Sequence, residues 1–428
     1  VKLLEALVPT DFRKAMNGPL RRFYACTFIT CTGMGLTLSL YVVYLHNVRG
    51  FSTSFATVLL AISAIAGLCS SPLWGTSTDH FGPLRVMMTA YVLDAASLVV
   101  FALAHTKTQA VIAALMLAVF GNAGWGPSST LLSRLVHEDH RQRAFGFNFM
   151  LVNLGIGFGG LVSAVIVNVH RPITFEVLYL FNAAVTLATV FLLLSLRRHG
   201  GPVTEHRDDP VKSAEGWNVV LRDKRLVMVV LSMLVLMIGG YGSLDAGFSL
   251  FVVNDLHLSV HAIGVMFFFN TTTIVLAQLW VLNRIEGKSR TLVMATTSLL
   301  WFVFWVILDA ALGLPKFVAI GSLCLAMAIF AVGETLLQPV GPALVNDIAP
   351  EHLRGRYNAA QGLTWGVAGS LAPAITGIYF ANGLGNWWPL STGLTALAGG
   401  LLMLNLRRHL TAREDGRDDA EIPAPDGT

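Results

Sequence analysis

The chain has 428 residues, of which 54% are hydrophobic and only 13% charged, whereas about a quarter of an ordinary soluble domain is charged. Lipid is therefore the expected solvent for most of it. The formal net charge of +4 reads as basic loops facing anionic lipid, which leaves little behind a nucleic-acid-binding reading.

Hydropathy resolves about twelve stretches long enough to cross a bilayer. They run over residues 23–46, 54–74, 86–104, 110–133, 145–168 and 175–196, and then over 226–252, 262–282, 291–311, 317–338, 357–381 and 387–406. The first follows a basic leader with Arg13, Lys14, Arg21 and Arg22. It is too long for a signal-peptide core, so a retained helix is expected. With both termini in the cytoplasm, Arg49, Lys107, Arg171 and Lys316 lie outside and the remaining 25 of 29 basic residues inside, as the positive-inside rule requires.

The longest polar interruption holds Gly200, Gly201, Pro202 and Pro210 and divides the spans six and six. The expected organisation is a cytoplasmic segment 1–22, a six-helix bundle 23–196, a cytoplasmic linker 197–225, a second six-helix bundle 226–406 and a disordered cytoplasmic tail 407–428. Within the linker, residues 217–225 have the pattern of a short amphipathic surface helix. The expected fold class is thus an all-α polytopic membrane protein of twelve transmembrane helices in two bundles. Glu138, Arg141 and Arg143 meet Glu351, Arg354 and Arg356 at an offset of 213 residues. Repeated halves predict two bundles rocking about a central site, the architecture of a transporter.

Between the second and third spans, Gly75, Asp79, Gly82 and Arg85 stand in the spacing Gly-x3-Asp-x2-Gly-x2-Arg. This loop resembles the signature of the major facilitator superfamily, and the twelve spans, central loop and half repeat are similar to it over nearly the whole chain. The resemblance implies that Asp79 contacts the opposite bundle and stabilises the outward-open state, with Arg85 as network partner. A lone Asp in a loop otherwise reads as a solvated charge. The corresponding loop of the second half keeps Gly287 and Arg290 but has Arg284 where the acid would stand.

In the fifth span, Asn153, Gly155, Gly159 and Gly160 resemble the glycine-rich segment of the family's proton-driven drug antiporters and imply a helix at the bundle interface; simple helix packing is the alternative. Antiporters of this branch often carry an Arg four residues before the glycine that is here Gly121, but Leu117 stands there.

Four acids fall within spans: Asp94, Asp245, Asp309 and Glu334. An ionised carboxylate near the bilayer centre costs about 2.5–3.5 kcal/mol on insertion scales, so such acids are protonated, paired or wet. Asp94 lies about 13 Å beyond Arg85 along a helix, whereas Asp309 is near a mouth, where solvation accounts for it. The resemblance implies coupling carboxylates in the seventh and tenth spans, so the expected proton-coupling residues are Glu334, Asp245 and Asp94. Hydrogen bonding between helices is the structural alternative. A buried acid can hold a proton and release it when a cation or an open path changes its surroundings. The family arrangement further implies a cavity lined by Tyr41, Trp125, Tyr241, Phe248, Phe268, Asn270, Glu334, Gln338, Gln361 and Trp365, suited to hydrophobic or cationic organic compounds. Trp387 and Trp388 read as interfacial anchors.

The expectation is a monomeric transporter of the bacterial inner membrane that exports drugs or natural products against protons. An uptake symporter for a small organic metabolite is the alternative, and a receptor or assembly factor on the same scaffold a third. Cys26, Cys31, Cys69 and Cys324 lack metal-ligand spacing and read as packing residues. No phosphate-binding loop or enzymatic motif occurs, and no cofactor beyond the coupling proton is expected.

Overall fold

The computed structural model describes residues 16–168, 171–201 and 216–417. Parts of the expected amino-terminal segment, linker and tail (1–15, 202–215 and 418–428), together with His170, lie outside the described residues. The first half contains α1 (Gly18–Thr37), α2 (Thr53–Phe81), α3 (Pro83–Ala102), α4 (Lys107–Gly121), α5 (Trp125–Leu135), α6 (Arg141–Ile166) and α7 (Pro172–Leu194). A short α8 (Trp217–Arg222) precedes α9 (Lys224–Met237), α10 (Ser249–Asn254), α11 (Val260–Ile285), α12 (Arg290–Ala310), α13 (Lys316–Ile348), α14 (Arg354–Ala381) and α15 (Trp388–Leu406).

Several helices begin where a side chain supplies an acceptor for the free amides of a first turn. Asn17 accepts from Leu20 at α1, Ser52 from Phe55 at α2, and Ser259 from Ala262 at α11. Thr106 and Gln109 close a reciprocal capping box on α4. In lipid, helices of this kind satisfy their own backbone, which open strands cannot.

Among the described residues, eleven helical stretches are long and apolar enough to cross a membrane, and they coincide with the second to twelfth expected spans. The first expected span is α1 followed by a broken path, 3-10 at Leu38–Leu40 and widened to a π-turn at Tyr44–Val48. Arg49 closes that path by donating to the Tyr44 hydroxyl (2.6 Å), the Ala102 carbonyl (2.6 Å) and Glu176 (3.0 Å).

Helix packing relies on small residues, because lipid removes the hydrophobic drive between helices. A Cβ on Gly35 would run into the Ile156 backbone, and one on Gly159 into that of Thr32, so α1 and α6 approach at backbone distance. Gly399 against Leu236 does the same for α9 and α15, and Gly239, just after α9, lies equally close to Ala396 of α15. The halves meet where α2 and α5 face α14, and where α6 faces α11 and α13.

The seventh expected span is broken for an identifiable reason. Gly240 is non-helical (φ −118°, ψ −109°), and the Trp301 ring occupies the place where its Cβ would be. Trp305 Nε1 donates to the Gly239 carbonyl (2.7 Å) and Ser243 Oγ to that of Ile238 (2.7 Å). Side chains thus satisfy backbone groups that the break frees. Tyr241 and Asp245 follow on widened π-turns. The fourth span also tightens to a 3-10 turn at Asn122–Gly124, with the Tyr91 ring packed beneath Gly124.

Two expectations are corrected here. Residues 407–417 are not a disordered tail: Leu410 is buried and Asp415 fully so. Trp388 is no interfacial anchor, because it is fully buried and donates to Thr376 (3.1 Å), whereas Trp387 is exposed.

Candidate functional site

At one end of the helices, called here the basic face, ion pairs and hydrogen bonds tie the halves together. Asp79 ends α2 and reaches the start of α14. Its Oδ1 accepts from the Gly355 amide (2.6 Å), and its Oδ2 accepts from the Arg356 amide (3.1 Å) and guanidinium (3.3 Å). The acid therefore caps a helix of the opposite half, where free amides and the helix dipole favour negative charge. Gly75 makes that approach possible, since a Cβ there would press on Ala359 and on the Gly355 carbonyl. Gly82, at φ +87°, turns the chain from α2 into α3, a conformation that favours glycine. Arg85 is exposed at the start of α3, and the cation on Asp79 is Arg356. The expected Asp79–Arg85 partnership is corrected accordingly, because the loop's acid looks across to the other half rather than along its own.

The second half supplies a counterpart that sequence comparison misses. Arg143 pairs with Glu286, Gln142 donates to the Ile285 carbonyl (3.2 Å), and Gly146 lies against Leu282. Arg284, which stands at the aligned position, is exposed and lies over the Trp280 ring (5.3 Å). The acid sits two residues further on. Between these contacts Asp347 joins Arg141 of the first half to Arg290 of the second, the latter at 2.6 Å. Asn358 adds a bond to Thr130 across the halves (3.1 Å) and reciprocal bonds with Asn346. Deeper, Ser71 donates to the Ala359 carbonyl (3.3 Å) and Gly366 packs on Leu68, near the middle of both helices.

Where the linker meets the second half, burial acts against the charge of Asp223. Hydrogen bonds from Arg225 and Tyr357 outweigh it and hold the carboxyl below its ordinary range. Trp217 of α8 donates to Thr76 (2.9 Å), which fastens this helix to α2.

Around the break after α9 a second cluster forms. Glu334 of α13 is buried and accepts from Asn270 Nδ2 of α11 (2.8 Å). Tyr241 lies beside Glu334 and Gln338. Its ring meets Trp365 at 4.8 Å and stands edge-on to Trp301 and Phe330. Asp245 is exposed yet close enough to act electrostatically on Glu334. Tyr241, Asp245, Asn270, Glu334, Gln338 and Trp365 are therefore brought together, and Gln361, one turn from Trp365, is buried against Met233.

The other expected residues lie elsewhere. Asp94 sits in the first half beside Gly121 and Tyr91. Gly121 and Glu334 are 213 residues apart, as are Trp125 and Gln338, so Asp94 leans on the repeat counterpart of the Glu334 position. Trp125 is exposed just beyond the break in the fourth span. Tyr41 stacks on Phe101 (5.1 Å) in a separate aromatic cluster. Phe248 is fully buried between Phe267 and Phe304, a packing position rather than a lining one. Phe268 is exposed and about 200° around α11 from Asn270, so it points away from Glu334. Gly155 and Gly159 seal α6 against α1 within one half, Gly160 meets only the Gly35 carbonyl at 3.9 Å, and Asn153 bonds back to Phe149. The expected bundle-interface role of this segment belongs instead to Arg141, Gln142 and Gly146.

Comparison with known proteins adds the family. The model of the Major Facilitator Superfamily matches residues 23–373 and 240–426. The chain is 23% identical over 338 residues to the uncharacterized MFS-type transporter YttB of Bacillus subtilis, covering 77% of this chain and 80% of that one. It is 23% identical over 383 residues to a Na(+), Li(+), K(+)/H(+) antiporter of Planococcus maritimus, covering 83% and 88%. To the quinolone resistance protein NorA of Staphylococcus aureus it is 29% identical over 159 residues, 35% of this chain and 39% of that one. Among solved structures, the transporter FucP in the outward conformation superposes with a TM-score of 0.75 at 13% identity, covering 93% of this chain and all of FucP. A family match over most of the chain and an all-helical fold shared with such transporters agree: the chain belongs to the Major Facilitator Superfamily and is a multi-pass membrane transporter, not an enzyme.

Proposed function

We propose that this chain is a monomeric, proton-coupled exporter of hydrophobic or cationic organic compounds in a bacterial inner membrane. In this reading twelve helices span the bilayer as two six-helix bundles with both termini cytoplasmic. The basic face is then cytoplasmic, and the contacts of Asp79, Glu286 and Asp347 close it while the central cluster opens outward.

The observation that carries the reading is Glu334, a buried carboxylate whose hydrogen-bond donor, Asn270, and whose neighbour Tyr241 are both neutral. Its charge is left to be balanced by a proton or by a cationic ligand. One acid cannot be balanced by both at once, and that exclusion is the logic of antiport. Asp245 draws cations toward Trp365 and Tyr241, whose faces suit them, and Asp94 serves as a second coupling acid in the other bundle. The antiporter and the quinolone resistance protein among the relatives support exchange and an organic substrate.

One observation favours the alternative, an uptake symporter: Leu117 packs into the aromatic cluster of the first bundle where drug antiporters often place an Arg. Proteoliposomes with an imposed pH gradient and a cationic fluorescent dye decide between them. Dye moving opposite to protons supports export, and dye moving with protons supports uptake.

A further inference from the structure

The segment after α15 makes contacts that the gate alone does not explain. Arg407–His409 forms a 3-10 turn, and Leu410 anchors the chain in the core. Glu414 then closes a tight turn by accepting from the Thr411 amide (2.8 Å) and hydroxyl (2.9 Å). Gly416, at φ +73°, reverses the chain directly beneath Arg290, where a Cβ would press on the guanidinium Nε.

These turns deliver Asp415 to the start of α12. Asp415 is fully buried, and its carboxylate accepts from Ser289 Oγ (2.6 Å), the Thr291 amide (3.0 Å) and Thr291 Oγ1 (2.9 Å). Arg417 lies at 3.1 Å and Arg407 at 3.7 Å from the same carboxylate. The Asp415 carbonyl accepts the Arg290 amide (2.7 Å), and the Glu414 carbonyl accepts Arg290 Nη1 (2.9 Å). That same Nη1 donates to Asp347 (2.6 Å), whose other oxygen holds Arg141 of the opposite bundle. Glu414 is also paired with Arg225 at the start of α9 (2.6 Å), and Arg413 pairs with Glu138 of the opposite bundle.

We infer that residues 407–417 form a strap of the second bundle that aims Arg290 at Asp347 and so completes the gate at the basic face. Arg290, Arg141 and Asp347 are all largely buried, and two cations there share one acid. The strap's carbonyl dipoles supply compensating negative potential to Arg290, and the Asp415 carboxylate, held by Ser289, Thr291, Arg407 and Arg417, fixes those carbonyls in place. Among the described residues, the contacts of Asp415 lie within the second bundle, so the strap moves with it. Of the strap's own contacts, opening the basic face then breaks Arg413–Glu138, and it parts Asp347, held by Arg290, from Arg141. Asp415 is accordingly a positioning residue, acting through Arg290.

This inference rests on the proposed reading that opening of the basic face is part of the transport cycle, and the test separates the two. On a cysteine-free background that still transports, spin labels at His137→Cys and Lys288→Cys, both exposed, report the distance across the face. Removing a charge-assisted bond to a buried acid is worth about tenfold in a two-state ratio. Asp415→Asn is therefore expected to raise the open fraction about tenfold, and Asp79→Asn, which removes direct contacts between the bundles, by at least as much. If Asp79→Asn opens the face and Asp415→Asn leaves the distances unchanged, the strap has no such role while the gate stands. If neither opens it, the gate reading itself fails. Should Asp415→Asn not fold, Arg413→Glu decides. It removes an exposed pair, with about a twofold rise in the open fraction that Glu138→Arg in the same chain reverses; no rise, or no reversal, overturns the proposal.

Discussion

Arg143 and Arg356 stand 213 residues apart and play the same part in opposite directions: Arg143 leaves the first bundle for Glu286, and Arg356 leaves the second for Asp79. The internal repeat is thus written into the gate as well as into the spans. The two pairs are not equal, because the Asp79 side chain is only 5% exposed and that of Glu286 42%.

That difference sets the first expectation. Asp79→Asn should weaken the closed basic face by about 1.5–3 kcal/mol, the usual loss for a charged acceptor of buried bonds. Glu286→Gln should weaken it by about 0–1 kcal/mol, as exposed pairs do. Distance distributions across the basic face check both; equal effects would contradict the difference in burial.

Close approach at the gate gives a second expectation. Gly75→Val places a branched side chain against Ala359 and should cost the closed state about 1–3 kcal/mol by overpacking. Gly157→Ala meets nothing within 4 Å and should leave both stability and gating unchanged. Gly155→Val should lower thermal stability instead, because its neighbours Phe28, Cys31 and Thr32 belong to the same bundle. Thermal melts alongside the distance measurement separate these outcomes.

The break after α9 gives a third. Trp301 is fully buried, fills the space over Gly240, stacks on Phe330 (4.7 Å) and donates to its carbonyl (3.1 Å). Trp301→Ala should destabilise the protein by about 3–5 kcal/mol and free Tyr241 from its place beside Glu334. Trp301→Phe keeps part of the stacking and should retain more stability, though it loses the hydrogen bond. Thermal melts and substrate binding by the two variants check the order.

The parts of this arrangement legible in the sequence are those carried by local signals. Runs of apolar residues mark the spans, and the spacing of Gly75, Asp79 and Gly82 marks the loop. The sequence-expected residues Tyr241, Asn270, Glu334, Gln338 and Trp365 do converge. What was illegible depends on distant partners or on helix rotation. Span limits do not say which way Phe268 points. Glu286 hides two residues from its aligned position. Nothing near Gly240 announces that Trp301 will fill its side. Residues 407–417 have the composition of a solvated tail, and their order comes from Asp415 accepting the first amides of α12, those of Arg290 and Thr291.

The most direct measurement follows the proton at Glu334. In weakly buffered solution, adding a cationic dye to the purified protein should release close to one proton per dye bound, read with a pH indicator. Glu334→Gln should bind dye more weakly and release none. Proton release undiminished in Glu334→Gln would contradict competition between proton and substrate at this carboxylate.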